Sequence, residues 1–273
     1  MAVAVEAWAE AWPRYVSELG GEWASGGINV DFAPAQLVYA NGARLEVLQP
    51  WPAGGGGFLR RFLDRHGRGP HHLTFKVPDL VHALGAADGA GLTPVSVDLS
   101  DPNWKEAFLH PRQATGIVVQ LAQAAGSWGS PAPEGFPTAR PPAPAALSHV
   151  THAVASLDEG LALFGGLLGG QVEQISSSTA LVHWEGPLTV RLVTPETDDA
   201  TSSTQGSLAA WIQGRPGRLH HLAFTGPPDP VGPAKPHGMA GAMIPGLRPG
   251  EHVRDVVAPE DNLGTRLVLL DAP

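Results

Sequence analysis

The chain contains no cysteine among its 273 residues. That excludes a disulfide framework, a thiolate metal site and a cysteine nucleophile. Lysine occurs only at Lys76, Lys105 and Lys235, charged residues make up 16 %, and the formal net charge is −9 with no cluster of Lys and Arg. Binding to nucleic acid or to an anionic membrane surface needs a basic footprint, so neither is an expected partner. No apolar run approaches the roughly 18 residues of a membrane span. The opening MAVAVEAWAEAW lacks the basic-then-apolar order of a secretory signal, so the expected location is the cytoplasm. What the chain does have is 43 % hydrophobic residues, enough for sizeable cores, and 12 histidines. Without thiolates, any metal site must use nitrogen and oxygen ligands.

Glycine (34) and proline (27) are abundant, but no G-X-Y period is present, which excludes a collagen-like chain. Much of the proline lies in one place. Residues 125–146, AGSWGSPAPEGFPTARPPAPAA, hold Pro131, Pro133, Pro137, Pro141, Pro142 and Pro144. Such a stretch sustains neither a helix nor a central strand and favours an extended, semi-rigid spacer. It separates an expected first domain (1–124) from a second (147–273). The two resemble each other. Gly20–Gly21 return as Gly169–Gly170 and His71–His72–Leu73 as His220–His221–Leu222, both 149 positions on. Pro50 matches Pro195 at 145, and Gly116 matches Gly264 at 148. Four segments sharing nearly one offset imply a tandem duplication.

Each half holds a finer repeat. LSHVTHAVAS reads as a strand, and Leu157, Leu161, Phe164 and Leu168 follow at helical spacing. Ser156 is placed as N-cap with Glu159 three residues on, and Gly169–Gly170 stops the helix. TALVHWEG and LTVRLVTP are further strands, and RLHHLAFTG starts a new unit. In the first half, HHLTFKV leads into the helical VPDLVHALGAADGAG, then into the strands PVSVDLS and GIVVQLAQA. The fold class expected is α+β, with four βαβββ units in two tandem domains forming cupped mixed sheets with helices outside. The helix of the fourth unit is eroded, because GPPDPVGPAKPHGMAGA carries five prolines.

Glu46 in ARLEVLQP, His72 in HHLTFKV and Gln120 in GIVVQLAQ all lie on strands. Strand side chains alternate between faces, so a curved sheet can converge one residue from each strand. Taken singly, a strand histidine is more often a hydrogen-bonded structural residue than a ligand. Together with the unit pattern, GPHHLTFKVPDL (69–80) and EAFLHPRQATGIVVQLAQ (106–123) resemble the vicinal oxygen chelate superfamily, closest to its methylmalonyl-CoA epimerase and glyoxalase-like members. That group also includes extradiol dioxygenases and bleomycin-resistance proteins.

The resemblance implies a metal site of four positions, built by two paired units. In the first half three of them fall on Glu46, His72 and Gln120. The remaining position, counterpart of His149, falls just ahead of Met1. That leaves an upstream start, three ligands plus solvent, or no metal. In the second half the positions fall on His149, Arg191, His221 and Val268, of which the two histidines are candidate ligands. Arg191 cannot ligate a cation and is assigned to a substrate anion. Lys76 shares the strand face of His72 and is placed at a substrate carboxylate or phosphate, while Trp104 and Phe108 line the mouth. His152 faces away from His149 and is read as structural. GGGG at 54–57 lacks the Lys-Ser/Thr of a phosphate loop, and no Gly-x-Ser-x-Gly elbow occurs.

The expected cofactor is a divalent ion (Zn, Mn, Co, Ni or Fe), if any is bound. The expected function is that of a metal-dependent glyoxalase- or epimerase-like isomerase or lyase. Its substrate is a small oxygen-chelating carbonyl, carboxylate or acyl-CoA compound passing through an enolate-type intermediate, with Glu46 as ligand and base. An epimerase needs a second base, and the nearest polar residue, Gln36, is a poor one. The alternative is a non-catalytic, bleomycin-resistance-like small-molecule binder. An extradiol dioxygenase-like enzyme ranks third, because Val268 stands where its glutamate belongs. A monomer or a homodimer is consistent with the duplication.

Overall fold

Alternating buried and outward residues build the first sheet. The chain runs through β1 (Ala2–Ala4), a wide-turned helical segment Trp12–Glu18, β2 (Glu22–Gly26), β3 (Phe32–Val38) and β4 (Arg44–Pro50). It continues through α1 (Phe58–His66), β5 (Gly69–Lys76), α2 (Leu80–Gly89), β6 (Val95–Asp98), β7 (Trp104–Leu109) and β8 (Val118–Ala124). This computed structural model describes residues 1–52, 54–126, 129–138, 141, 143–196, 207–226 and 244–271. The eight strands are ordered β2-β3-β4-β1-β5-β8-β7-β6. Within each unit the first and last strands are parallel, β1 with β4 and β5 with β8. A parallel pair needs a crossover, which the segment 12–18 and α2 each begin. The two units join antiparallel through β1 and β5. Val3, Leu37, Val47, Leu73, Val119 and Leu121 face Trp12, Tyr15, Val16, Leu80 and Ala87 of these helices in one core. The opposite face is the cup, and α1 covers one end of it by packing Leu59 and Leu63 on Ala2, Ala4 and Leu48.

The second half repeats this plan with β9 (Ala146–Val154), α3 (Leu157–Leu161, running on as wide turns to Leu167), β10 (Gln171–Gln174), β11 (Thr179–His183) and β12 (Thr189–Val193). Then come α4 (Leu208–Ile212), β13 (Gly217–Thr225), β14 (Val253–Val257) and β15 (Leu267–Leu270). The order is β10-β11-β12-β9-β13-β15-β14. Among the described residues the fourth unit has three strands, and the eroded helix read at 226–242 lies almost wholly outside them. Ser156 does cap α3, its hydroxyl accepting from the Glu159 amide at 3.3 Å. Ser156→Ala is expected to cost about 1 kcal/mol in chemical denaturation.

The halves pack through two matched sets of contacts. The turn glycine Gly116 meets the Gly217 backbone, and Gly264 meets Arg68 and Gly69. Phe75 stacks edge-on against Trp184 at 4.9 Å, and Phe224 against Tyr39 at 5.0 Å. Each pair swaps the roles of the halves at the offsets of the duplication, so the halves are related by an approximate two-fold axis. One apolar core runs across both sheets. The described residues of the proline-rich connection pack as a strap on the first half. Trp23 Nε1 donates to the Ser130 carbonyl at 2.8 Å, Phe136 stacks on Trp12 and Trp23, and the Ala145 amide donates to Leu19. Two of the eight tryptophans, Trp12 and Trp23, are thereby used in holding the strap.

Candidate functional site

Register brings the first-half residues together. Gln36 stands opposite Glu46, Glu46 opposite Ala2, and Ala2 opposite His72. Two residues along β5, Thr74 stands opposite Gln120, and Gln120 opposite Phe108. Cross-strand partners share a face, so these side chains form a row across the cup. His72 is 5 % exposed. Its Nδ1 lies 2.8 Å from His71 Nδ1, and its Nε2 has no hydrogen-bond partner but lies 3.4 Å from Glu46 Oε2. Burial acts to raise the Glu46 carboxyl, but the neighbouring His72, with the chain amine and Gln36, holds it below the usual range.

Gln120 Oε1 accepts from Thr74 at 2.7 Å, and its Nε2 donates to Glu106 Oε2 at 2.7 Å. Trp104 Nε1 donates to the same Glu106 oxygen at 2.8 Å. Glu106 is a site residue that sequence reasoning missed. Alternation along WKEAFL sets it on the face of Phe108, and that was the available signal. Phe108 meets the His72 ring edge-on at 6.4 Å. A cavity of about 520 Å³ opens against the row. Glu46, Gln120, Lys76, Trp104, Gln36 and Arg44 give it a polar side, and Leu167, Leu168, Trp184, Pro187 and Leu188 of the second half give it an apolar wall.

Among the described residues no three His, Asp or Glu side chains cluster as a metal group. The first cup offers two such donors and an amide. His72 fits a ligand role in the tautomer that carries its proton on Nδ1, toward His71, because that tautomer turns the Nε2 lone pair into the cup. A buried imidazole held by its other nitrogen is the usual arrangement of a ligating histidine.

The second cup has the same rows and the opposite chemistry. Arg191 stands opposite Thr151, and Thr151 opposite His221. Arg191 is 1 % exposed and grips Glu251 in two hydrogen bonds, of 2.8 and 2.6 Å. Glu251 follows a segment whose Ile244 and Leu247 pack on Ala223 and Val268 and fill the cup. Arg266 Nη1 lies 2.6 Å from His220 Nε2, His220 Nδ1 lies 2.7 Å from His221 Nδ1, and His221 Nε2 lies 3.0 Å from Thr151 Oγ1. Arginine only donates, so His220 Nε2 accepts and its proton sits on Nδ1. His221 Nδ1 then accepts, and the His221 proton sits on Nε2, donated to Thr151. A protonated Nε2 cannot ligate. With Arg191 beside it and apolar Val268 in the fourth position, the donor set of the second cup does not fit a cation. Burial, with Arg191 nearby, pushes His149 down to about 3, and its Nε2 has no partner. His152 is fully buried, and its Nε2 donates to the Thr115 carbonyl at 2.8 Å across the junction of the halves.

Solved structures supply the comparison. The chain is similar to a variant of 4-hydroxymandelate synthase from Streptomyces coelicolor, at 19 % identity over 82 % of this chain and 69 % of that one, with a TM-score of 0.55. It is also similar to a xylose isomerase-like TIM barrel/4-hydroxyphenylpyruvate dioxygenase fusion protein, at 16 % identity over 82 % of this chain and 35 % of that one, with a TM-score of 0.52. Methylmalonyl-CoA epimerase from Mycobacterium tuberculosis matches 46 % of this chain and 85 % of its own at 24 % identity and a TM-score of 0.41. No sequence-family model and no curated protein sequence matches the chain. The likeness defines the fold: two tandem domains of the vicinal oxygen chelate type. None of the helices among the described residues is long and apolar enough to cross a membrane.

Proposed function

We propose that the first cup is the working site and that it moves a proton beside a carbonyl of a small substrate bearing two adjacent oxygens, as an isomerase or lyase of the glyoxalase and epimerase type. The observation that carries this reading is the unpartnered, buried His72 Nε2 facing Glu46 Oε2 at 3.4 Å. Glu46, His72 and Gln120 would hold a divalent ion, which when bound polarises a substrate oxygen. The chain's own groups do the rest. Lys76 at the cavity takes a carboxylate or phosphate of the substrate, while Trp104 and the wall of Leu167, Leu168 and Trp184 keep water off the reacting carbon. Proton removal and return need bases on two sides of that carbon. Glu46 on β4 and Glu106 on β7 lie on opposite arms of the cup, with β1, β5 and β8 between them. Glu106 therefore supplies the second carboxylate that the sequence alone did not offer. Its bonds to Gln120 and Trp104 hold it in position.

A second reading, a metal-free small-molecule binder, is favoured by the small donor set of the first cup. Elemental analysis decides between them. Protein purified from medium supplemented with Zn, Mn, Co, Ni and Fe is expected to carry about one metal ion per chain, and a Glu46→Ala/His72→Ala variant close to none. A metal-free parent, or equal metal in the variant, removes the enzyme reading and leaves the binder.

A further inference from the structure

We propose that the second cup is a carboxylate-binding site whose place is held by the chain's own Glu251, with Arg191 as a two-pronged fork and the Arg266–His220–His221–Thr151 chain presenting only donors.

The polarity of this cup is set from outside it. Arg266 is the counterpart of Val118, which stands 148 positions earlier, and this exchange separates the two halves. In the first half His71 and His72 share one hydrogen bond with no arginine behind them, so His72 is free to turn a lone pair into its cup. In the second half Arg266 fixes the direction of every bond after it, and His221 turns an N–H inward. Thr151 accepts that proton, so its own hydroxyl hydrogen is left to donate. Arg191, 1 % exposed, adds a fixed cation with a planar fork. Donors around a buried guanidinium define a site for a flat anion with two oxygens.

Two further observations point to a ligand. Arg191 Nε and His149 Nε2 are buried without a hydrogen-bond partner, on residues 1 % and 2 % exposed. The anion now present is a side chain that reaches Arg191 from 60 residues along the chain, and it remains partly open to solvent, at 23 %. The class of ligand is thus a small monocarboxylate able to take the position of the Glu251 carboxyl group. The inference does not depend on metal in the first cup.

Glu251→Ala vacates the fork. Thermal melts of Glu251→Ala with sodium formate or acetate are expected to show a rise in Tm of about 3–5 °C at saturation over the same ionic strength of chloride. The parent is expected to show less than half of that rise. Equal rises with chloride and formate, or no rise, overturn the proposal. Should Glu251→Ala fail to fold, the isosteric Glu251→Gln variant takes the same titration, followed by calorimetry. The parent protein gives an independent readout. Long-range ¹H–¹⁵N correlation of labelled histidine is expected to find His221 protonated on Nε2 and bare on Nδ1. The opposite tautomer removes the donor chain and the proposal with it.

Discussion

Acidification from about pH 7 to about pH 5 is expected to unfold the protein, beginning with the second half. Four histidines there are almost wholly buried: His149, His152, His220 and His221. Burial pushes His149 and His220 down to about 3 and His152 to about 4, from 6.5 in the unfolded chain, and pushes His221 well below it. Above 6.5 both states are neutral and nothing is lost. Below 6.5 the unfolded chain takes up protons that the folded one refuses, so stability falls steadily until the folded values are reached. At pH 5 each such proton costs about 2 kcal/mol. Counting the hydrogen-bonded His220–His221 pair once gives about 6 kcal/mol, the scale of a whole domain's stability. Glu251 does not offset this. Its carboxyl is held below 4.5 because the Arg191 bonds outweigh burial, so its contribution is lost only at lower pH, as pH falls through that value. Stability measured by urea titration should drop by several kcal/mol between pH 7 and pH 5. His152→Gln, whose amide can still donate to Thr115, should shift the acid midpoint downward. A flat stability profile over that interval would falsify the assignment of these histidines as neutral.

Gly116→Ala is expected to destabilise the protein by about 2–5 kcal/mol. Gly116 has φ +88°, where a side chain costs about 1–2 kcal/mol. A Cβ there would lie 1.9 Å from the Gly217 carbonyl oxygen, with the Gly217 carbon and nitrogen close behind. Those are backbone atoms of the facing half, so relief requires one sheet to move off the other, with an overpacking cost of about 1–3 kcal/mol. Gly264→Ala should behave alike, because its Cβ would meet the Arg68 carbonyl oxygen at 1.9 Å. Gly166, with nothing within 4 Å of an added Cβ, is the control, and Gly166→Ala should stay within about 1 kcal/mol of the parent. Denaturant midpoints of the three variants check the ranking. Equal midpoints would mean that the halves do not rely on this contact.

The strands were legible because their evidence is local. Alternation in RLEVLQP and GIVVQLAQ marks β4 and β8, and the doubled His-His-Leu marks β5 and β13. The helix over 157–168 was legible from its spacing and its Ser156 cap, although beyond Leu161 its turns widen. The row of Glu46, His72 and Gln120 came from alternation combined with a family likeness. What stayed hidden depends on neighbours distant in sequence. Glu106 matters because Gln120 and Trp104 converge on it. Glu251 lies in no motif and gains meaning only by reaching Arg191. The proline-rich strap has the composition of a spacer, and only the Trp12, Trp23 and Phe136 rings turn it into a packed element.

The matched contacts between the halves bear on what one half would do by itself. In symmetry terms the junction is isologous: each side offers the same patch and receives the same patch. A first half severed within the strap would lay bare Tyr39, Phe75 and the turn at Gly116, and its cavity would lose the wall of Leu167, Leu168 and Trp184. A second copy of that half carries Arg68, Tyr39 and Phe75 where the second half carries Gly217, Trp184 and Phe224. The fused chain thus holds its two halves in the arrangement of a symmetric pair. Tethering frees it from dilution, and once joined its two sites no longer have to stay alike, so one can keep its lone pairs while the other fills with an arginine and a glutamate.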